Sequence, residues 1–140
     1  MPIPLDEFAA FVADNPLGVL STYDPERGPE AARVSFAVAD DGTILFNART
    51  ASRKIANLAG DNRVALVIGC AGPTSIQVEG TAALPSVSER TGWAAVFRSH
   101  FPDSRALDPE FTVVRVRPHW LRLYDASPSG SVTEGTPHWA

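Results

Sequence analysis

The sequence of 140 residues has few members of several residue types, and each shortage narrows what the protein can be. Its only cysteine, Cys70, has no partner for an internal disulfide. The three histidines lie far apart without a second cysteine at ligand spacing, so we predict no metal site. Cys70 ends the apolar run RVALVIGC, and we expect it to be a small buried hydrophobic residue in a reducing compartment.

Positive charge and long apolar runs are also scarce. The 12 basic and 16 acidic side chains give a formal net charge of −4, which argues against a nucleic-acid partner. No run reaches the roughly twenty apolar residues of a membrane span. The N-terminal residues carry acids and prolines rather than the basic start of a signal peptide. We therefore expect a soluble cytoplasmic domain that contacts neither nucleic acid nor membrane.

Alternation of apolar and polar residues dominates the rest of the chain. It runs through residues 31–38 and returns at 44–48 after Asp41-Gly42, which predicts a β-hairpin. Helices are predicted over 4–16, over Ala51–Ala59 with Gly60 just past the last turn, and from Ser86 to Pro102. Further strands are predicted over residues 17–24, 63–70, 74–84, 110–118 and 119–125. This order predicts a mainly β (α+β) fold, an antiparallel barrel of about six to seven strands with flanking helices.

The C-terminal residues differ in composition from the domain before them. We assign residues 1–126 to one domain and residues 127–140, rich in Ser, Gly, Thr and Pro, to a tail. Composition alone predicts that such a tail is disordered. The alternative is a tail that docks near a bound ligand, with Trp139 as its anchor.

A small basic cluster stands at the start of the second predicted helix. Ser52, Arg53 and Lys54, the only lysine, lie where a helix exposes unpaired N–H groups and binds anions readily. Cations there are unfavourable for the helix itself, and a bound anion would offset that cost. If the hairpin packs beside this helix, Arg33 and Arg49 converge on the same anion. The alternative is a solvated helix start in which Thr50 or Ser52 is a simple N-cap.

Four segments carry a family resemblance: ARVSFAV, ILFNARTASRKIANLAGDNRVALVI, IQVEGTA and FPDSRALDPEFTVVRVRP. They are similar to those of the pyridoxamine 5′-phosphate oxidase-like, FMN-binding split-barrel proteins, over roughly residues 17–125. The resemblance implies a split-barrel homodimer with FMN at the subunit interface. It places the phosphate at the basic cluster, the flavin ring along the hairpin, and Gln77 on the partner's approach to the ring. The predicted cofactor-binding residues are Arg33, Val34, Ser35, Phe46, Asn47, Arg49, Thr50, Ser52, Arg53, Lys54 and Gln77.

The sequence departs from the vitamin B6 oxidases of that family. Those enzymes have a C-terminal Arg-Leu-His element, and the nearest string here is Arg122-Leu123-Tyr124-Asp125. We therefore expect an FMN-dependent oxidoreductase that acts on another small molecule with a nicotinamide or other electron donor. An F420-dependent reductase and a non-catalytic flavin-binding protein are alternatives on the same fold, and a cofactor-free interaction module is a third.

No catalytic side chain is predicted, because a flavin carries the hydride and the protein only positions it. On the substrate side, the candidates are His119, Tyr124 and Trp139.

Overall fold

In a computed structural model of the chain, residues 3–139 are described. Their helices and strands, in chain order, are α1 (Leu5–Asp14), β1 (Leu17–Asp24), β2 (Gly28–Val38), β3 (Ile44–Arg49), α2 (Arg53–Gly60), β4 (Arg63–Ile68), β5 (Thr74–Ala83), α3 (Arg90–His100), β6 (Phe111–Asp125) and β7 (Ser131–Gly135). Within this part of the chain, no helix is long and apolar enough to cross a membrane.

The strands form one antiparallel sheet in the order β3-β2-β1-β4-β5-β6-β7. An additional pairing between β3 and β6 brings the two ends of the sheet together. The sheet is therefore a partly closed barrel, which confirms the predicted mainly β split-barrel fold.

The barrel opens between β2 and β3. These strands pair only from Val38 and Ile44 to Phe36 and Phe46. The same register would next place Ser35 opposite Asn47, but β2 continues along β1 while β3 continues along β6. Each strand thus has an edge without a strand partner beyond this point, and we call the opening the seam.

Two clusters of buried apolar side chains hold the fold together. The larger one fills the barrel and includes Phe8 of α1, Leu20, Phe36 and Phe46. The smaller one lies outside the barrel, where Phe97 of α3 packs over β2, β3 and β6. Because α3 covers this outer surface, its C-terminal end comes to lie beside the seam.

Both later helices begin further along the chain than predicted. α2 begins at Arg53 rather than Ala51, because Ser52 has an extended backbone (φ −76°, ψ 158°) and its N–H bonds to the Arg49 carbonyl in a turn. α3 begins at Arg90 rather than Ser86, after a turn in which the Ser86 N–H donates to the Glu89 carboxylate at 3.0 Å. This bond is one half of a capping box, one turn before the helix.

The two strands predicted around Pro118 are one continuous strand, β6. Glu79 pairs with Trp120 and Gly80 with Pro118, so His119 is the extra residue of a β-bulge. A bulge accommodates a proline that cannot donate to the ladder. The prediction of a strand break at Pro118 was therefore wrong.

The tail is ordered up to Trp139, against the expectation from its composition. Its residues Ser131–Gly135 pair with β6 as β7. Trp139 stacks on Phe8 with ring centroids 5.0 Å apart, and its indole N–H donates to the Ile3 carbonyl at 2.9 Å. Gly42 (φ 88°) leaves room for the indole, because a Cβ there would collide with it.

Cys70 is exposed, which corrects the expectation that it is buried. β4 ends at Ile68, and Gly69 (φ 90°) turns the chain so that Cys70 lies in the following loop. The apolar run before it is also covered on one face only. Val67 is 42% exposed on the outer face of the sheet.

Candidate functional site

Two openings adjoin the seam. One is a cavity of about 230 Å³ between β2 and the start of α2, which we call the α2 cavity. It is lined by Leu20, Thr22, Glu30, Ala31, Ala32, Arg53 and Lys54. The other is a cleft of about 480 Å³ between the seam and the end of α3, which we call the seam cleft. It is lined by Ser35, Asn47, Phe97, His100, Phe101, Pro102, Asp103 and Ser104.

A carboxylate is the centre of the hydrogen-bond network in the α2 cavity. Glu30 accepts hydrogen bonds from Asn57 Nδ2 (2.8 Å), from Arg27 and from Arg53 Nη1 (2.9 Å). These bonds, the one from Asn57 above all, lower the pKa of Glu30 to about 2. Asn57 also donates to the buried Thr22 hydroxyl at 3.0 Å. The cavity therefore contains an anion of its own.

Lys54 is the cation in this cavity that the protein leaves available. It forms no ion pair with another residue in the range 3–139, whereas Arg53 is paired with Glu30 and 70% exposed. The Ser52 hydroxyl donates to the Arg49 carbonyl at 2.7 Å and does not cap the helix, so the first N–H groups of α2 lack a side-chain cap. Such N–H groups carry partial positive charge. Together with Lys54 they make this end of the seam attractive to an anion.

The other predicted cations do not converge here. The Arg49 guanidinium lies 5.0 Å from the centroid of the Phe111 ring, because β3 runs beside β6 at this point. Thr50 bonds through its hydroxyl to that of Thr112 at 2.7 Å, on the same side. Arg33 is exposed on the outer face of β2, opposite to the inward Val34. Of the four cations predicted to meet, the structure brings Arg53 and Lys54 to one cavity.

Two predicted ring-lining residues belong to the core. The Phe46 side chain is fully buried and packs edge-on against Phe36, and Val34 is also buried. Their side chains therefore do not face a ligand in the seam. Ser35 and Asn47, in contrast, line the same cleft from opposite sides of the seam.

The seam cleft contains polar atoms that the protein does not use. Asn47 Oδ1 and Ser104 Oγ are buried and have no hydrogen-bond partner among the described residues. Phe97 and Phe101, with ring centroids 4.8 Å apart, form part of the wall. The sequence prediction missed the last residue of α3, His100, and the loop after it, Phe101 to Ser104. Their segment, FPDS, was part of the family resemblance, and only the packing of α3 shows that it reaches the seam.

The remaining predicted residues lie elsewhere in the chain. Gln77 is on β5, three strand spacings or roughly 14 Å from β2, so it cannot reach the seam of its own chain. His119 bonds to the Thr81 hydroxyl at 2.6 Å in the bulge, and Tyr124 lies under the Arg122 guanidinium. Trp139 packs on α1 and Gly42.

The outer face of β1 and β4 carries an exposed apolar patch. Leu17, Val19, Tyr23 and Val67 are 47%, 36%, 44% and 42% exposed. Val19 pairs with Arg33 on one side and with Val67 on the other, and Val67 pairs with Gln77. The patch therefore lies between two predicted cofactor residues of the same face.

These features define an antiparallel split barrel with ligand-sized openings at its seam. The chain belongs to the pyridoxamine 5′-phosphate oxidase family, whose model matches residues 4–125. A search of curated proteins finds no match.

Solved structures share the fold at low sequence identity. A conserved hypothetical protein from Mycobacterium tuberculosis is 23% identical, with a TM-score of 0.73 over 99% of this chain and 91% of that one. A protein of unknown function from Agrobacterium tumefaciens is 22% identical, with a TM-score of 0.71 over 82% of this chain. This chain spans about half, 53%, of the Agrobacterium protein. A heme-binding protein from Mycobacterium smegmatis is 19% identical, with a TM-score of 0.69 over 97% of this chain and 59% of that one.

Proposed function

We propose that the protein is an FMN-dependent oxidoreductase that binds the flavin along the seam and acts on a small molecule other than a B6 vitamer. The observation that carries the proposal is the seam itself. One unpaired edge of β2 runs from the α2 cavity, which suits an anion, to the seam cleft, which suits a ring.

The spacing of the two openings suits a nucleotide. Ala32 lines the first and Ser35 the second, and three residues of a strand span about 10 Å. Lys54 and the first N–H groups of α2 would hold the phosphate, with Arg53 shared between the phosphate and Glu30. Asn47 and Ser35 would border the ring. The two unpartnered atoms in the cleft fit a ligand with polar groups on a flat ring.

The chemistry in this proposal is mostly positional. FMN, when bound, supplies the hydride-carrying group. The phenylalanines of the cleft wall would exclude water from the ring, and the polar groups would fix its orientation. No acid–base pair is assigned to the protein.

We also propose that the protein acts as a homodimer. The exposed patch on β1 and β4 would be buried in the interface, because contiguous apolar surface of this kind commonly marks one. In such a dimer Gln77 would approach the seam of the partner subunit, because it cannot reach the seam of its own chain. Val67→Asp should then yield a monomer by sedimentation, while circular dichroism shows an intact fold. A wild-type protein that sediments as a monomer at all concentrations would contradict the proposal.

One experiment separates the possible cofactors. The protein is purified, its absorbance recorded, and the small molecule released by denaturation identified by mass spectrometry. FMN with flavin absorbance bands is the expected result. F420 would identify the alternative reductase, and a Soret band would point to the ligand class of the Mycobacterium smegmatis protein. A colourless protein that takes up no FMN on titration rejects the proposal.

Turnover needs its own measurement. The FMN-loaded protein should oxidise a nicotinamide donor faster than an equal concentration of free FMN. Binding without this acceleration, over a panel of donors and acceptors, would leave a non-catalytic flavin-binding protein.

A further inference from the structure

We propose that Asn47 and Ser104 recognise the lactam edge of a flat heterocycle, a ring N–H beside a ring carbonyl, in the seam cleft. The inference rests on the proposed function and names the chemistry that this part of the site reads.

The first argument is the contrast with the buried polar side chains of the fold. Thr22 accepts from Asn57, Thr43 bonds to Asp41, and Thr112 bonds to Thr50. Each of these buried side chains is satisfied by the protein. Asn47 Oδ1 and Ser104 Oγ have no partner among residues 3–139, yet they come from different elements and line the same cleft. Buried polar atoms are rarely left unpaired, so two around one opening indicate a ligand.

The second argument is the chemistry of the two side chains. A carboxamide presents an N–H donor and a carbonyl acceptor side by side, which is complementary to a lactam edge through two hydrogen bonds. Either orientation of the Asn47 amide serves, since rotation about its last bond exchanges the two groups. The Ser104 hydroxyl adds a donor or acceptor for a neighbouring ring atom.

The surroundings favour a flat ring. Phe97, Phe101 and Pro102 supply an apolar wall, against which a planar ring packs well. His100 and Asp103, one basic and one acidic, also line the cleft, so its charged residues do not select the charge of the ring. A lactam can come from two sources, the pyrimidine ring of the flavin or a separate substrate bound beside it.

Three variants test the inference without an activity assay. Asn47→Leu has a similar branched shape but no polar atoms, and Ser104→Ala removes the hydroxyl. The matched control is Ser127→Ala, because the Ser127 hydroxyl already bonds to the Ser129 hydroxyl at 3.1 Å in the loop before β7 and does not line the seam cleft. Removing unsatisfied polar atoms should leave the Tm of the ligand-free protein unchanged or raise it. A clear fall in Tm for both site variants would indicate a structural role and overturn the inference.

Two binding arms identify the source. In the first, FMN and N3-methyl-FMN are titrated into wild type and variants. If the protein recognises the lactam edge of the flavin itself, N3-methyl-FMN should bind wild type about tenfold more weakly than FMN does. The two ligands should bind Asn47→Leu equally well. In the second, uracil and 1,3-dimethyluracil are titrated into the FMN-loaded proteins. If the protein recognises the lactam edge of a separate substrate, uracil should bind wild type more tightly than 1,3-dimethyluracil does. Asn47→Leu should lose this preference.

The outcomes separate this inference from the proposed function. Discrimination in either arm that disappears in Asn47→Leu and persists in Ser127→Ala supports the inference. FMN binding with no discrimination in either arm overturns it while the proposed function stands. A wild-type protein that binds no FMN rejects both.

Discussion

The two openings at the seam differ in how the protein treats its own polar groups. In the α2 cavity Glu30 accepts from Arg27, Arg53 and Asn57, and Lys54 is the cation left without an ion pair among the described residues. In the seam cleft, Asn47 Oδ1 and Ser104 Oγ find no partner among the described residues. The basic residues of the α2 cavity are conspicuous in the sequence. The unpartnered atoms beside the seam cleft are nevertheless the stronger structural evidence for a ligand.

The comparison shows why a basic cluster is weak support for an anion site. A guanidinium that looks free in the sequence acquires a carboxylate when the chain folds, as Arg53 does with Glu30 at 2.9 Å. What remains for a phosphate is Lys54 and the uncapped start of α2. An unpartnered buried polar atom is stronger evidence, because the folded chain itself offers it no hydrogen-bond partner.

The largest effect should come from Lys54→Ala. A hydrogen bond to a charged group contributes about 1.5–3 kcal/mol, so FMN affinity should fall about 10- to 100-fold. Arg53→Ala should have a smaller effect, because Glu30 already holds that guanidinium. The dissociation constants are measured by quenching of FMN fluorescence.

Arg117→Ala is the control for Lys54→Ala. It removes one exposed positive charge from β6, away from the α2 cavity, and should leave FMN affinity unchanged. If Arg53→Ala weakens binding more than Lys54→Ala, the fold has not sequestered Arg53 and the contrast between the two openings fails.

A smaller effect of opposite sign is expected for Glu30→Gln. The substitution removes the anion from the α2 cavity and releases Arg53 to a phosphate, so FMN affinity should rise roughly fivefold. The rise should vanish when Arg53→Ala is added, since the two residues act as a pair. Unchanged affinity in Glu30→Gln would show that Glu30 does not compete with the ligand.

Local patterns predicted most of the barrel. The strand predicted over residues 17–24 matches the observed β1 at both ends, and the hairpin turn at Asp41-Gly42 lies where it was expected. The information for these elements is local, because alternation fixes which face of a strand is buried. β7 was missed because its residues carry no local pattern of this kind. Its Ser, Thr and Gly residues carry no strand pattern, and pairing with β6 and the docking of Trp139 order it.

The site was predicted less completely than the fold. Ser35 and Asn47 stay predictions as cofactor residues, although the structure does place both at one cleft. Ser104 was missed because its position depends on α3 crossing the outside of β3, a contact between distant parts of the chain. Arg49 stays a prediction as a cofactor residue, but it lies over Phe111 and away from Lys54, because β3 pairs with β6 at this point.

The smallest effect concerns acid stability. Hydrogen bonds from Asn57, Arg27 and Arg53 lower the pKa of Glu30 to about 2, from an ordinary value of 4.5. A depressed carboxyl pKa stabilises the folded state above the unfolded-state pKa, and this contribution is lost as the pH falls through the folded-state pKa. Wild type should therefore lose more stability between about pH 4.5 and about pH 2 than Glu30→Gln does.

Urea unfolding midpoints across that pH range give the measurement, and the difference between the two proteins isolates Glu30. Asp61, whose pKa is also lowered to about 2 by hydrogen bonds from Arg63, titrates in both proteins and cancels. Parallel curves for wild type and Glu30→Gln would mean that Glu30 is not held by its partners in solution. The α2 cavity would then resemble the seam cleft, with polar groups free for a ligand, and the contrast between the two openings would disappear.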